Sequence, residues 1–306
     1  MKKSAFSSVF GFLFLVIFMG CSDDKEEPAP VSPEPIVAPV YACKLLKEQV
    51  TNGTPGQPHQ REIQYVNGQV TQITEVATVN SQTSATAFRF DYDGQGHIRT
   101  TTIPDAQGLP AQVFVFDYNS DGLVQKVSWF NKTQNPGAAA PMLYSERDFT
   151  YNSAKQLVRS KHWLVTGQTP LLLNDYLFTY NAKGNLTNSQ EYRVLAYQGN
   201  TIQNDIVLKL AFTHDDKVNP NYENKFLNAL PPGLVLLNLS PNNVLTTVAE
   251  STLEGTQKGP GASFNPAPYN YTRTYTYTYT SENRPATQTS SQGSVRTYTY
   301  SCEKVK

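Results

Sequence analysis

The stretch Phe116-Asp117-Tyr118-Asn119-Ser120-Asp121-Gly122-Leu123 is the clearest copy of a motif that recurs along this 306-residue chain. Its Phe and Tyr are two positions apart, so in a β-strand both side chains lie on one face. Its Asn and Gly suit a tight turn, and its Leu begins a returning strand. One copy of the motif therefore predicts one β-hairpin.

Further copies occur at loose intervals and begin at Ile63, Phe90, Phe149, Phe178 and Phe212. The copy at Phe149 lacks the turn glycine, and the copy at Phe212 has a histidine where the others have tyrosine. No helix-length apolar periodicity separates the copies, so successive hairpins predict an antiparallel meander. We therefore expect an all-β fold of about 14 strands in a curved open or half-barrel sheet, with little or no helix.

The motif F-x-Y-[DN]-x-x-G-x-L resembles the YD (RHS-like) repeat over nearly the whole chain after residue 40. The segments Asp215–Pro220 and Ser240–Asn243 resemble a signature of bacterial surface lipoproteins of unknown function that carry such repeats. The resemblance implies one large curved sheet and no established activity. The chain departs from the family at Asn221, where an aromatic residue is usual.

The amino terminus predicts export and lipidation. Two lysines precede the apolar run Val9–Met19, which is too short to span a bilayer and suits a secretory signal. The run ends in Gly20-Cys21, which resembles the lipobox of bacterial lipoproteins, whose cysteine is acylated. We expect a signal peptide at 1–20 with Cys21 as the lipidation site, an acidic and Pro-rich tether at 21–39, and a single β domain at 40–306.

The charge pattern bears on location and partners. The 25 Lys and Arg balance the 25 Asp and Glu, which argues against nucleic acid as a partner. The acidic segment Ser22–Glu27 resembles a surface-export signal of Gram-negative lipoproteins; a solvated linker is the alternative. We expect a lipid-anchored protein at the outer membrane and cell surface of a Gram-negative bacterium. Anchoring on the periplasmic face of the outer membrane is the alternative.

The two remaining cysteines, Cys43 and Cys302, lie in the first and last predicted strands. In an oxidising compartment they can form a disulfide that ties together the two ends of the domain. The alternative is two separate buried thiols.

The sequence offers few groups for chemistry. Asp117, Asn119 and Asp121 fit the opening of a calcium loop, but Ser128 stands where such a loop has glutamate, and a hairpin turn explains the same residues. The four histidines have no metal-ligand spacing, and no G-x-S-x-G elbow occurs. We expect no cofactor and no catalysis, although a Ser, a His and an Asp can still meet in space and leave a hydrolase as the less favoured alternative.

Aromatic side chains are the strongest binding candidates: Trp129, Trp163, Tyr275, Tyr277 and Tyr279. Aromatic faces among Asn, Gln and Thr can stack on a carbohydrate or a peptide. The leading hypothesis is a non-catalytic surface protein that binds a glycan or a partner protein. A purely structural envelope repeat protein, with its tyrosines used in packing, is the alternative.

Overall fold

A computed structural model describes residues 41–53, 58–132, 140–165, 169–198, 201–222, 236–252 and 269–305. The expected signal peptide, Cys21 and the tether lie outside the described residues. So do the proposed loop at 255–268 and most of the leucine-rich segment 227–239.

The described residues form sixteen β-strands and one short 3₁₀ segment, Leu236–Leu239. The strands are β1 Tyr41–Thr51, β2 Pro58–Val66, β3 Gln69–Val79, β4 Gln82–Tyr92, β5 Ile98–Pro104, β6 Pro110–Tyr118, β7 Val124–Asn131, β8 Met142–Tyr151, β9 Leu157–Leu164, β10 Leu171–Tyr180, β11 Leu186–Gln198, β12 Thr201–Val218, β13 Asn242–Thr252, β14 Tyr271–Tyr279, β15 Pro285–Ser290 and β16 Val295–Lys304. Within these ranges no helix is long and apolar enough to cross a membrane.

The sheet closes into a barrel, so the expected open or half-barrel sheet is wrong. Each strand pairs antiparallel with its neighbours in sequence, and β1 pairs with β16 from Tyr41 opposite Lys304 to Thr51 opposite Val295. Closure removes the two free edges that an open sheet would expose to other chains. Cys43 and Cys302 form a disulfide across this seam, with their Cα atoms 4.0 Å apart.

The tyrosine of each motif copy joins its hairpin to the preceding one. The Tyr118 hydroxyl donates a hydrogen bond to the backbone carbonyl of Ile98 at 2.8 Å, where the preceding hairpin begins its returning strand. Four other tyrosines donate to equivalent carbonyls of Leu45, Val70, Val124 and Leu157 at 2.7–3.0 Å. We call Tyr65, Tyr92, Tyr118, Tyr151 and Tyr180 the tyrosine ladder.

The phenylalanine of each copy is buried inside the barrel. Large and small residues face each other across neighbouring strands. Phe149 lies opposite Ser160, and Phe178 lies opposite Ser189. This alternation lets bulky rings fill the interior of a barrel. We call the buried residues Phe90, Phe116, Phe149, Phe178 and Phe212 the phenylalanine layer.

The turn after each tyrosine depends on an Asn or Asp side chain and on a left-handed residue. The Asn181 Oδ1 atom accepts hydrogen bonds from the backbone amides of Lys183 and Asn185 at 3.0 and 3.1 Å. Gly184 has φ of 82°, which glycine adopts without strain. In the copy that lacks the glycine, Lys155 has φ of 59° at the same position.

Replacing Lys155 with glycine is therefore expected to stabilise the barrel by about 0.5–1 kcal/mol, because a non-glycine residue is disfavoured in the left-handed region. The change removes only an exposed ion pair between Lys155 and Asp121, which contributes little. Urea unfolding of Lys155→Gly would measure the gain. The matched change Gly184→Lys should lower stability by a similar amount; equal stabilities for both variants and the native chain would contradict the prediction.

Two segments pack together at the barrel end that carries the motif turns. They comprise residues 215–222 and 236–243, which we call the plug, and they include Asp215–Pro220 and Ser240–Asn243, the two segments that resemble a lipoprotein signature. Asp215 accepts hydrogen bonds from the backbone and side-chain amides of Asn243, both at 3.0 Å. Asn219 donates through its side chain to the Ser240 carbonyl at 2.9 Å. These hydrogen bonds hold the two segments of the plug together.

Candidate functional site: the barrel lumen

Cavities lie in the lumen on both sides of the phenylalanine layer. The mouth cavity, at the plug end, has a volume of about 610 Å³ and is lined by the tyrosine ladder. The distal cavity, toward the opposite end, has a volume of about 450 Å³. Both volumes fall in the range of small-molecule sites.

The mouth cavity combines aromatic rings with a few polar side chains at its rim. Lys44 lies over the Tyr65 ring at 5.7 Å, and the His97 ring stacks on Tyr118 with centroids 4.7 Å apart. Gln69 also lines the cavity, and plug residues take part in its wall. Because the ladder hydroxyls are held by backbone carbonyls, the rings have fixed positions around the opening.

The ladder phenols stay protonated well above neutral pH. Burial raises the pKa of Tyr118 to about 12, with the nearby Asp93 charge adding to the effect. Burial likewise raises the pKa of Tyr151 to about 12. The Tyr118 and Tyr151 rings of the mouth cavity are therefore uncharged at any physiological pH.

The distal cavity has an aromatic wall and a polar wall. Trp129 and Phe114 belong to the aromatic wall, with ring centroids 5.7 Å apart. Ser145, Arg147 and His162 belong to the polar wall. The Arg147 side chain is buried, and burial lowers its pKa.

Ser145 and His162 form a pair that superficially resembles part of a hydrolase site. The Ser145 hydroxyl lies 3.1 Å from His162 Nε2, and Arg147 Nη2 lies 3.4 Å from His162 Nδ1. A guanidinium only donates hydrogen bonds, so Nδ1 accepts and Nε2 carries the proton. In this tautomer the imidazole donates to the serine and has no free nitrogen to remove its proton. Burial, reinforced by the Arg147 charge, lowers the His162 pKa to about 4.

A group of charged side chains elsewhere in the lumen forms a paired network. Glu48 lies 2.8 Å from Arg296 and 3.6 Å from Arg61, and Arg61 in turn lies 2.5 Å from Glu75. The Glu48–Arg296 pair crosses the seam between β1 and β16, and the contacts of Arg61 continue across β2 and β3. Removing one member of the network would leave a buried charge without its counterion, which is strongly destabilising.

The five aromatic residues singled out in the sequence do not form one surface. Trp129 lines the distal cavity, whereas Trp163 lies on the outer face, where its Nε1 donates to Asp148 at 2.9 Å. Tyr275 and Tyr277 face the lumen, and Tyr279 is 37% exposed at the plug. Tyr277 is used in packing, since its hydroxyl donates to the Val244 carbonyl at 2.8 Å.

Two of the three calcium candidates, Asn119 and Asp121, belong to a hairpin turn. Asn119 Oδ1 accepts hydrogen bonds from the backbone amides of Asp121 and Leu123, both at 3.0 Å. Asp121 forms an exposed ion pair with Lys155, and Asp117 lies in β6 on the outer face. In the part of the chain that the structure describes, no group of three or more His, Cys, Asp or Glu side chains could hold a metal ion.

Sequence reasoning missed both cavities and the residues Arg147 and Ser145. The tyrosines of the mouth cavity were visible as a repeated position, but their common lining role depends on closure of the barrel. Arg147 and His162 come from different strands, and no local motif marks them.

Comparison with known proteins gives fold-level neighbours only. No protein-family model matches the chain, and no curated protein does. A porin-like protein from Bacteroides uniformis is 13% identical with a TM-score of 0.49, over 88% of this chain and 99% of that one. A porin-like protein from Bacteroides vulgatus is 11% identical with a TM-score of 0.38, over 85% and 99%. A TcdB2-TccC3-Cdc42 structure is 14% identical with a TM-score of 0.23, over 76% of this chain and 12% of that one. Likenesses this distant carry no information about function.

Proposed function

We propose that this chain is a non-catalytic lipoprotein of the outer membrane, displayed at the cell surface, whose mouth cavity binds a glycan. The observation that carries the proposal is the cavity of about 610 Å³ lined by the tyrosine ladder. Sugar rings stack on aromatic side chains, and their hydroxyls need a few well-placed polar groups. Lys44, Gln69 and His97 supply such groups at the rim.

The polarity of the barrel supports a domain that stands in water. Its interior holds the apolar core, whereas its outer face carries ion pairs such as Lys126 with Glu146 and Arg159 with Asp175. A barrel embedded in lipid shows the opposite arrangement, with an apolar band outside. In this proposal Cys21 supplies the membrane contact, and acyl chains hold the protein without a spanning segment.

The chemistry in the lumen supports binding over catalysis. The Ser145–His162 pair has its proton on the nitrogen that faces the serine, and its third partner is Arg147 in place of a carboxylate. A partner protein and a purely structural role are the competing proposals, and the experiment below separates them from glycan binding.

A glycan array probed with the purified chain tests the proposal. We expect saturable binding that falls at least about tenfold in Lys44→Ala and His97→Ala, because each removes a rim contact of about 1.4 kcal/mol or more. Lys183→Ala is the matched control, since Lys183 is exposed on a turn and does not line the cavity. No binding, or binding unchanged in both rim variants, would overturn the mouth cavity as a glycan site.

A further inference from the structure

The distal cavity is amphipathic, and its two halves come from different strands. Phe88, Phe114 and Trp129 give it an apolar wall, while Arg147 and His162 give it a polar one. The phenylalanine layer separates this cavity from the mouth cavity, so a ligand here would be independent of the proposed glycan site.

Trp129 brings a buried hydrogen-bond donor to this cavity. Its ring is held by Phe114 and by the edge of Tyr144, with the latter centroids 4.8 Å apart. Its Nε1 is buried and has no hydrogen-bond partner among the described residues. A buried donor without a partner destabilises a protein, and a bound acceptor would remove that penalty.

Arg147 makes the cavity positive. Of the described side chains that line it, Arg147 carries the only full charge, because His162, with a pKa of about 4, is neutral at pH 7. Glu191, which acts on Arg147 from β11, is already held by Arg193 at 2.7 and 2.8 Å and by Tyr176 at 2.9 Å. The local field therefore favours an incoming anion.

We infer that the distal cavity binds a small carboxylate with an apolar or aromatic body. The carboxylate pairs with the Arg147 guanidinium, whose planar fork matches two oxygens. The body of the ligand lies against Phe88 and Trp129. A volume of about 450 Å³ limits the ligand to a small molecule and excludes a polymer chain.

The chain contains two tryptophans, and the fluorescence of Trp129 can report binding in the distal cavity. In Trp163→Phe the outer-face tryptophan is gone, and fluorescence comes from Trp129 alone. We expect phenylacetate to change this fluorescence in a saturable way. The uncharged analogue phenylacetamide should bind at least about tenfold more weakly, because it cannot form charge-assisted hydrogen bonds with Arg147. Equal responses to the two compounds, or no saturable response, would overturn the inference.

Variants in the Trp163→Phe background separate this cavity from other sites. Arg147→Gln should weaken phenylacetate binding at least about tenfold, and Ile103→Phe should weaken it by filling the apolar wall. Lys161→Gln, on the outer face, is the control and should leave binding unchanged. If Arg147→Gln does not fold, Ile103→Phe tests whether phenylacetate binds in the distal cavity. The comparison with phenylacetamide then tests whether binding requires the negative charge of the ligand. Unchanged binding in Ile103→Phe, or in folded Arg147→Gln, would contradict the inference.

Discussion

Raising the pH from neutral to about 12 is expected to unfold the barrel in one cooperative step, with the buried phenols ionising together. Burial raises the pKa values of Tyr118 and Tyr151 to about 12, from the ordinary tyrosine value of about 10. Burial also raises the pKa of Tyr180 and Tyr300. Below pH 10 both folded and unfolded chains keep these protons, so stability is unaffected there.

Above pH 10 the unfolded chain releases phenolic protons that the folded chain retains. Each such tyrosine then lowers the free energy of unfolding by about 1.4 kcal/mol per pH unit until its folded pKa is reached. Tyr118 and Tyr151 together remove about 5 kcal/mol by pH 12, which is the lower end of typical protein stability. A phenolate also cannot donate to a carbonyl, so ionisation breaks the ladder that joins successive hairpins.

Circular dichroism and phenolate absorbance, recorded on the same samples, would test this prediction. Both signals should change together between pH 10 and 12. In Tyr118→Phe the free energy of unfolding should fall less steeply with pH, by the slope that corresponds to one proton. The variant should also be less stable at neutral pH by about 1 kcal/mol, because the hydrogen bond of the hydroxyl is lost. If phenolate absorbance rises near pH 10 while the circular dichroism of the β-sheet persists, the tyrosines of the ladder are not buried and the prediction is wrong.

The hairpin unit could be predicted from the sequence because its causes are local. The spacing of Phe and Tyr decides their common face, and the turn needs only an Asn or Asp and a left-handed residue within five positions. Even the missing glycine of the fourth copy was visible, and Lys155 does take the left-handed backbone there. Closure was not predictable in this way, because β1 and β16 are separated by almost the whole chain and hairpin patterns are the same in open and closed sheets.

The cavities of the lumen could not be predicted from the sequence, because small shifts in strand register decide which face of the sheet a side chain occupies. Strict alternation from the buried Leu157 would send Trp163 inward. The pairing of β8 with β9 shifts between Tyr151 and Thr150, so Ser160 and His162 face inward and Trp163 faces outward. The pairing of β6 with β7 shifts in the same way between Asp117 and Tyr118, and this shift turns Trp129 inward. The two shifts therefore decide which tryptophan faces the lumen, and the shift in β9 also places His162 beside Arg147.

Removing the seam disulfide with Cys43→Ser and Cys302→Ser is expected to lower the free energy of unfolding by up to about 5 kcal/mol. The two cysteines are 259 residues apart in sequence, so the bridge restricts an unusually long loop in the unfolded chain. The folded barrel should change little, because β1 and β16 remain paired along their length and Glu48 still contacts Arg296.

The effect should therefore appear in the unfolding equilibrium while the native structure is preserved. Urea unfolding of the double variant, beside the native chain with and without reductant, separates loss of the bridge from damage caused by serine. We expect the reduced native chain and the double variant to unfold at the same lower urea concentration and to keep the native circular dichroism spectrum before unfolding. Because the bridge joins the first and last strands, a loss of β-structure without urea would mean that strand pairing alone cannot hold the seam closed. Equal stability with and without the bridge would instead mean that the seam stays paired in the unfolded ensemble.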